Sequence, residues 1–296
     1  MTNVIEIKDL SYRYNNKFKA LDNISIKVPK GAIYGFLGPN GAGKSTTMRM
    51  LAGLMHDDHN NIQLFEKPIN SQLPEVFSNI GCLVEQPVLY THLTAKDHLE
   101  LIMNCNGIPL SKLDATLEVV GLSKAKNMAV KRFSLGMKQR LAIALCLVKE
   151  PQLLLLDEPV NGLDPNGMQE VREMLVRLNQ ELGITIFISS HLLSEIEKMC
   201  THICIINKGK IHFEGTMPLL KKQFDSAPVS IQIETQNEHI DYGQWNTIRK
   251  ENKLIIDIQD KKEIAQVVHN LITQNIDIYE VKQEGNLESW FLDIIQ

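Results

Sequence analysis

The sequence predicts an α/β fold built on a parallel sheet, followed by a smaller α+β unit, and three observations carry that expectation. The segment AIYGFL runs into the glycine-rich GPNGAGKST and then into KSTTMRMLAGLM, so that a strand, a glycine loop and a helix stand in that order. QLLLLDEP and GITIFISSH are continuous apolar runs separated by helical text at residues 167 to 182, which suits buried strands of a parallel sheet covered on both faces. Past GKIHFEGT the pattern changes to polar-apolar alternation in VSIQIET and KLIIDIQ, with a helical patch at residues 262 to 273.

Taken in order, VIEIKDL and ALDNISIKV read as short strands, with Pro29-Lys30-Gly31 as the turn before the third. The helix after Gly43 breaks at HDDHNN. Residues 94 to 105 begin another helix, with Thr94 and Asp97 spaced as a capping box and Leu99, Leu101, Ile102 and Met103 as its apolar content. The middle third is helical, over about residues 86–150. A domain boundary is expected near residue 220, dividing residues 1–220 from a small accessory domain at 221–296.

Composition narrows the function. With 44% hydrophobic and 22% charged residues the chain is of ordinary globular character and can bury a real core. No segment approaches the roughly 18 consecutive apolar residues of a membrane-spanning helix, and MTNVIEIKDL lacks the basic and apolar regions of a signal peptide, so a cytoplasmic protein is expected. Net charge is −4, and residues 217–296 carry eight Lys/Arg against thirteen Asp/Glu, which argues against nucleic acid or an anionic membrane as a direct partner. The five cysteines show no repeated short spacing; Cys200, His202 and Cys204 read as part of a strand pattern, HICII, rather than as a metal site.

GPNGAGKST, residues 38–46, fits the P-loop pattern G-x-x-x-x-G-K-[ST], in the required context between a strand and a helix. Gly38, Asn40, Gly41, Ala42, Gly43, Lys44, Ser45 and Thr46 are therefore the expected ATP-binding residues. The backbone N–H groups of Gly41 to Thr46 would converge on phosphate oxygens at a helix start. Lys44 adds a point charge for the β and γ phosphates, and Ser45 a hydroxyl oxygen for Mg²⁺, which prefers such ligands. Asp157, ending a buried strand, is the second expected metal residue. Glu158 beside it is the expected base for the attacking water, and His191 a donor to the γ-phosphate.

The order of GPNGAGKST, FSLGMKQR, LLLLDEP, NGLD and ISSH resembles the ATP-binding cassette of ABC transporters, over residues 1 to about 216. That resemblance implies a P-loop NTPase core with a helical subdomain and an N-terminal antiparallel β-subdomain. FSLGM stands where the family has Leu-Ser-Gly-Gly-Gln: Ser134 and Gly136 are kept, while Leu135 and Met137 replace a glycine and the glutamine. The family implies that this signature binds the γ-phosphate of ATP held on the P-loop of a second subunit, so that two cassettes, identical or homologous, close head to tail around two nucleotides. Asp164 in NGLD resembles the loop crossing that dimer interface. An aromatic near the N-terminus would stack on adenine; Tyr14 aligns best, with Tyr12 as the alternative.

One position departs from the family. Cassettes carry a glutamine after the strand that follows the P-loop helix, whereas IGCLVEQP aligns Glu85 with it; a one-residue slip would restore Gln86. A carboxylate can ligate Mg²⁺ but repels the γ-phosphate until a metal is bound. This glutamate, the FSLGMKQRL signature and the tail NLESWFLDII resemble the ATPase subunits of bacterial exporters protecting against lantibiotics and bacitracin-like peptides. The resemblance implies a separate membrane permease, with Leu89, Tyr90 and Leu93 as exposed contact residues, and a peripheral position at the inner face of the membrane. An importer's ATPase, or a non-transport cassette of DNA repair or translation, are the other classes open to the cassette alone.

Overall fold

Every residue of the strand Ile33–Leu37 is buried, because in the computed structural model it lies between two parallel neighbours and is covered on both faces. The structure describes residues 2–14, 18–85, 88–225, 229–235, 245–250, 253–258, 263–284 and 291. Two units divide between Gly215 and Thr216, and residue 220 itself falls inside a helix, Met217–Asp225.

Numbered along the chain, the first unit runs β1 (Asn3–Tyr14), β2 (Phe18–Pro29), β3 (Ile33–Leu37), α1 (Lys44–Leu51), β4 (Ile62–Leu64), β5 (Lys67–Pro68) and β6 (Ile80–Leu83). It continues with α2 (Ala95–Cys105), α3 (Leu113–Val119), α4 (Leu135–Leu147), β7 (Leu153–Asp157), α5 (Pro165–Leu182), β8 (Thr185–Ser190), α6 (Leu193–Met199), β9 (His202–Asn207) and β10 (Lys210–Thr216). A six-stranded sheet has the order β10-β9-β3-β8-β7-β6, and the pairs β9-β3, β3-β8, β8-β7 and β7-β6 are parallel. The N-terminal strands form a separate antiparallel sheet, β2-β1-β4-β5. The chain thus has the expected α/β class, with α2, α3 and α4 inserted between β6 and β7.

The run LLLLD is apolar throughout because its two faces meet different layers. Leu153 and Leu155 join one core with Met48 and Leu51 of α1 and with Ile5, Ile7 and Ile24 of the antiparallel sheet. Leu154 points the other way, where its Cδ2 lies so close to Gly81 that a Cβ there would stand 2.6 Å from it. Fully buried leucine carries both cavity and transfer costs on truncation, so Leu154→Ala is expected to destabilise this unit by about 2–5 kcal/mol. Thermal unfolding followed by circular dichroism checks this; an unchanged melting temperature would contradict a strand enclosed on both faces.

Local chemistry sets the helix ends that matter for the site. Thr94 caps α2 in a capping box with Asp97, whose carboxyl is held low by the bonds it accepts from the Thr94 backbone and hydroxyl. Ser134 caps α4 through a bond from the Met137 N–H, and Asp164 caps α5 through one from Gly167. Arg140 then ties α4 to its neighbours, donating to the carbonyls of Val120 and Gly121 and pairing with Glu170 of α5 at 3.1 Å. Cys200 and Cys204 are buried, and burial pushes both thiols up, which suits apolar core residues.

The second unit contains α7 (Met217–Asp225), β11 (Val229–Glu234), β12 (Thr247–Lys250), β13 (Lys253–Ile258), α8 (Glu263–Thr273) and β14 (Glu280–Glu284). Its sheet has the order β12-β13-β11-β14, with antiparallel pairs throughout. Val267 and Leu271 of α8 share a core with Ile233, Leu254, Ile256 and Ile258. Here the alternation of VSIQIE and KLIIDI has its reason: one face of the sheet meets a helix. The tail NLESW lies outside the described residues.

Candidate functional site

The chain leaves β3 at Leu37 and crosses Gly38–Gly43 before α1 starts at Lys44. Two glycines are demanded by close approach. A Cβ on Gly38 would stand 2.2 Å from the Ile206 carbonyl oxygen, and one on Gly43, at φ +114°, 2.8 Å from that of Ala20. The loop is therefore pressed against β9 and β2, with its open side bordering a cavity of about 240 Å³ lined by Asn40, Gly41, Gly43, Lys44, Ser45 and Thr46 together with Phe18, Glu158 and Asn161. Ala42 is buried behind it.

Lys44 is 5% exposed, and its Nζ is fully engaged: it donates to the carbonyls of Gly38 at 2.7 Å and Pro39 at 3.2 Å and pairs with Glu158 Oε1 at 3.2 Å. Glu158 is the first residue beyond β7 and takes a left-handed backbone, φ +48°, which turns its carboxylate back toward the loop. Non-glycine residues adopt this conformation at a cost on the order of 1 kcal/mol. Three partners hold it: Lys44, the Ser189 hydroxyl accepting its N–H at 3.0 Å, and His191 Nδ1 at 2.7 Å from Oε2. A carboxylate only accepts, so Nδ1 carries the hydrogen toward Glu158, and donation from Nε2 as well requires a doubly protonated ring. Asp157 accepts from the same Ser189 hydroxyl.

Ser189 was missed by sequence reasoning. Its role arises because β7 and β8 pair with Asp157 opposite Ser189, a register that no local pattern reveals. FISSH offered a signal only in that one of its two serines had to face the neighbouring strand end.

Glu85 does not line the loop cavity. With Asp157 and Glu158 it borders a second cavity of about 480 Å³, which they share with Leu135, Lys138, Gln139 and Asn161. Glu158 and Asn161 line both cavities. Glu85 has φ +75° and pairs with Arg49 of α1 at 2.6 Å. Gln86, the alternative at this position, lies outside the described residues. The oxygen donors present, the Ser45 hydroxyl and these carboxylates, are of the hard kind that suits Mg²⁺.

Tyr14 ends β1, its hydroxyl 3.4 Å from Thr46 Oγ1 and its ring edge-on to Tyr12 with centroids 5.0 Å apart. Directly across the hairpin from Tyr14 is Phe18, an exposed aromatic that lines the loop cavity and was not foreseen. Its lone phenylalanine in NNKFKALD carried no periodic signal.

The signature residues stand apart from these contacts. Ser134 and Leu135 are exposed at the start of α4, and Met137 is half-buried. Gly136 is buried because α4 meets α5 there: a Cβ would stand 3.4 Å from the Cα of Gly167. Leu135 Cδ2 approaches Gly162 in the loop that leads to Asp164, itself exposed. Of the three residues expected to be exposed for a partner, Tyr90 is; Leu89 and Leu93 are half-buried. The reason is backbone pairing, since the carbonyls of Thr91 and Leu93 accept from Lys131 and Val130, folding this segment onto residues 129–131. Val88 is 96% exposed instead.

Residues 21–161 match the family model described as ABC transporter. The chain is 38% identical over its whole length to the bacitracin transport ATP-binding protein BcrA of Bacillus licheniformis, covering 98% of that protein. Over 76% of the chain it is 41% identical to the lantibiotic transport ATP-binding protein SrtF of Streptococcus pyogenes, of which it covers 93%. Among solved structures, cbiO1 of Clostridium perfringens, part of the ABC transporter complex cbiONQ, superposes with a TM-score of 0.70 at 28% identity, over 76% of this chain and 92% of that one.

Proposed function

The chain belongs to the ATP-binding subunits of ABC transporters, and on that premise we propose that two copies close around two ATP molecules to drive a permease that exports an antimicrobial peptide. As members of this family are ATPases coupled to transport and work with transmembrane partners, hydrolysis and a membrane partner follow from membership itself. Among the described residues no helix is long and apolar enough to cross a membrane, which supports a position at the inner membrane face through that partner.

The observation that carries the hydrolytic reading is that Lys44 and Glu158 face each other at the loop cavity, with His191 bonded to Glu158 and Asp157 tied to it through the Ser189 hydroxyl. The P-loop N–H groups and Lys44 take the triphosphate. Glu158, turned inward by its left-handed backbone, orients and deprotonates the attacking water, and His191 and Lys44 hold its carboxylate in place. Ser45 and Asp157 would hold Mg²⁺, with Glu85 as the third ligand; the ion supplies charge neutralisation of the phosphates. Tyr14 is the proposed adenine partner, with Phe18 beside it at the end of the hairpin.

Dimerisation is supported by the exposure of Ser134 at a helix start, where among the described residues its hydroxyl is bonded only by the cap from Met137. A hydroxyl and free N–H groups at such a place suit a phosphate from another subunit. Peptide export is supported by the bacitracin and lantibiotic relatives. Deleting the coding sequence in its native host is expected to lower the inhibitory concentration of bacitracin or a lantibiotic several-fold, with restoration by the intact copy. Unchanged sensitivity to a panel of such peptides would overturn the export reading while leaving the ATPase intact.

A further inference from the structure

An amide needs no counter-charge beside a triphosphate; a carboxylate does. Glu85 shares its cavity with Asp157 and Glu158, so a phosphate entering between them meets three carboxyl groups, a repulsive arrangement until cations balance it. Lys44 balances Glu158 and the Ser189 hydroxyl satisfies Asp157. For Glu85 the balancing group is Arg49, whose Nη2 lies 2.6 Å from Oε1. Arg49 stands on the helix that opens with Lys44 and Ser45. One side chain therefore links the phosphate helix and the Glu85 segment.

We infer that Arg49 is the positioning residue for Glu85: it holds the carboxylate in reserve beside the phosphate helix, and Glu85 reaches a metal ion only by exchanging that partner. The pair is suited to exchange. Arg49 is 38% and Glu85 64% exposed, and exposed pairs are weak enough for a divalent cation to displace. The left-handed backbone at Glu85 gives a second reason, since a strained residue held by a side-chain partner can relax when the partner changes. This inference rests on the reading of Glu85 as a metal ligand.

Its test uses Mn²⁺ as the probe, read by electron paramagnetic resonance on the full chain with a non-hydrolysable ATP analogue bound, and needs no turnover. Arg49→Gln is expected to tighten Mn²⁺ binding by about two- to fivefold, the range that an exposed ion pair supports, and to weaken analogue binding in EDTA by a similar factor. Arg49→Lys should keep the parent values. In a Glu85→Gln background, Arg49→Gln should leave Mn²⁺ affinity unchanged. An equal shift in both backgrounds, or none in the parent, overturns the inference. If Glu85→Gln alone leaves Mn²⁺ affinity unchanged, the ligand reading of Glu85 falls first, an outcome distinct from the failure of Arg49.

Discussion

Lys44→Ala is expected to lower ATP turnover by on the order of 10²–10³-fold, the scale seen when a preorganised charge-stabilising donor is removed. The reason lies in how the side chain is held. Lys44 is buried, tethered to the carbonyls of Gly38 and Pro39, and faces Glu158, so the ammonium is aimed before nucleotide arrives and little ordering remains to be done. Removal also strips Glu158 of its cation, adding a carboxylate's repulsion to the loss of attraction. Fluorescent ATP titration and steady-state hydrolysis separate the two effects. Parent affinity together with parent turnover would show that phosphate is bound elsewhere.

Glu158→Gln should behave differently, keeping ATP affinity within a few-fold while hydrolysis falls by about 10²–10⁴, the usual contribution of a general base. Glutamine is nearly the same size, its amide oxygen can accept from Lys44, and its NH2 can donate to His191 Nδ1 in the other ring tautomer, so the local fold should survive. What disappears is the ability to take a proton from water. ATP should then accumulate in a closed dimer, visible as a doubling of mass in sedimentation with Mg·ATP and absent without it. Hydrolysis at the parent rate would remove Glu158 as base. Monomers alone, in a variant that binds ATP and does not turn it over, would instead remove the head-to-tail dimer, since Ser134 would then have no phosphate to meet.

How legible the site was depended on how local its causes are. The loop from Gly38 to Thr46 was readable because turn chemistry and helix start lie within one stretch; Gly38 and Gly43 proved to be constrained by β9 and β2, elements the motif does not mention. The Thr94–Asp97 capping box was equally readable. Exposure was less so. Leu89 and Leu93 looked available in a loop, yet backbone pairing with residues 129–131 half-buries them. Phe18 escaped notice for the converse reason, since its place beside the loop follows from its pairing with Tyr14 across the hairpin.

By itself the amino-acid order determined the class of fold, the phosphate loop, the two acidic residues ending a buried strand, and the family. These depend on residue type and spacing along the chain, where periodicity and glycine freedom act over a few residues. Only the tertiary structure decided that Ser189 serves Asp157 and Glu158 together, that Lys44 faces Glu158, and that Arg49 holds Glu85. Those partners are 32, 114 and 36 residues apart in sequence for Asp157–Ser189, Lys44–Glu158 and Arg49–Glu85. What brings them together is strand register and helix packing in the shared core, a property of many residues at once that no single segment encodes.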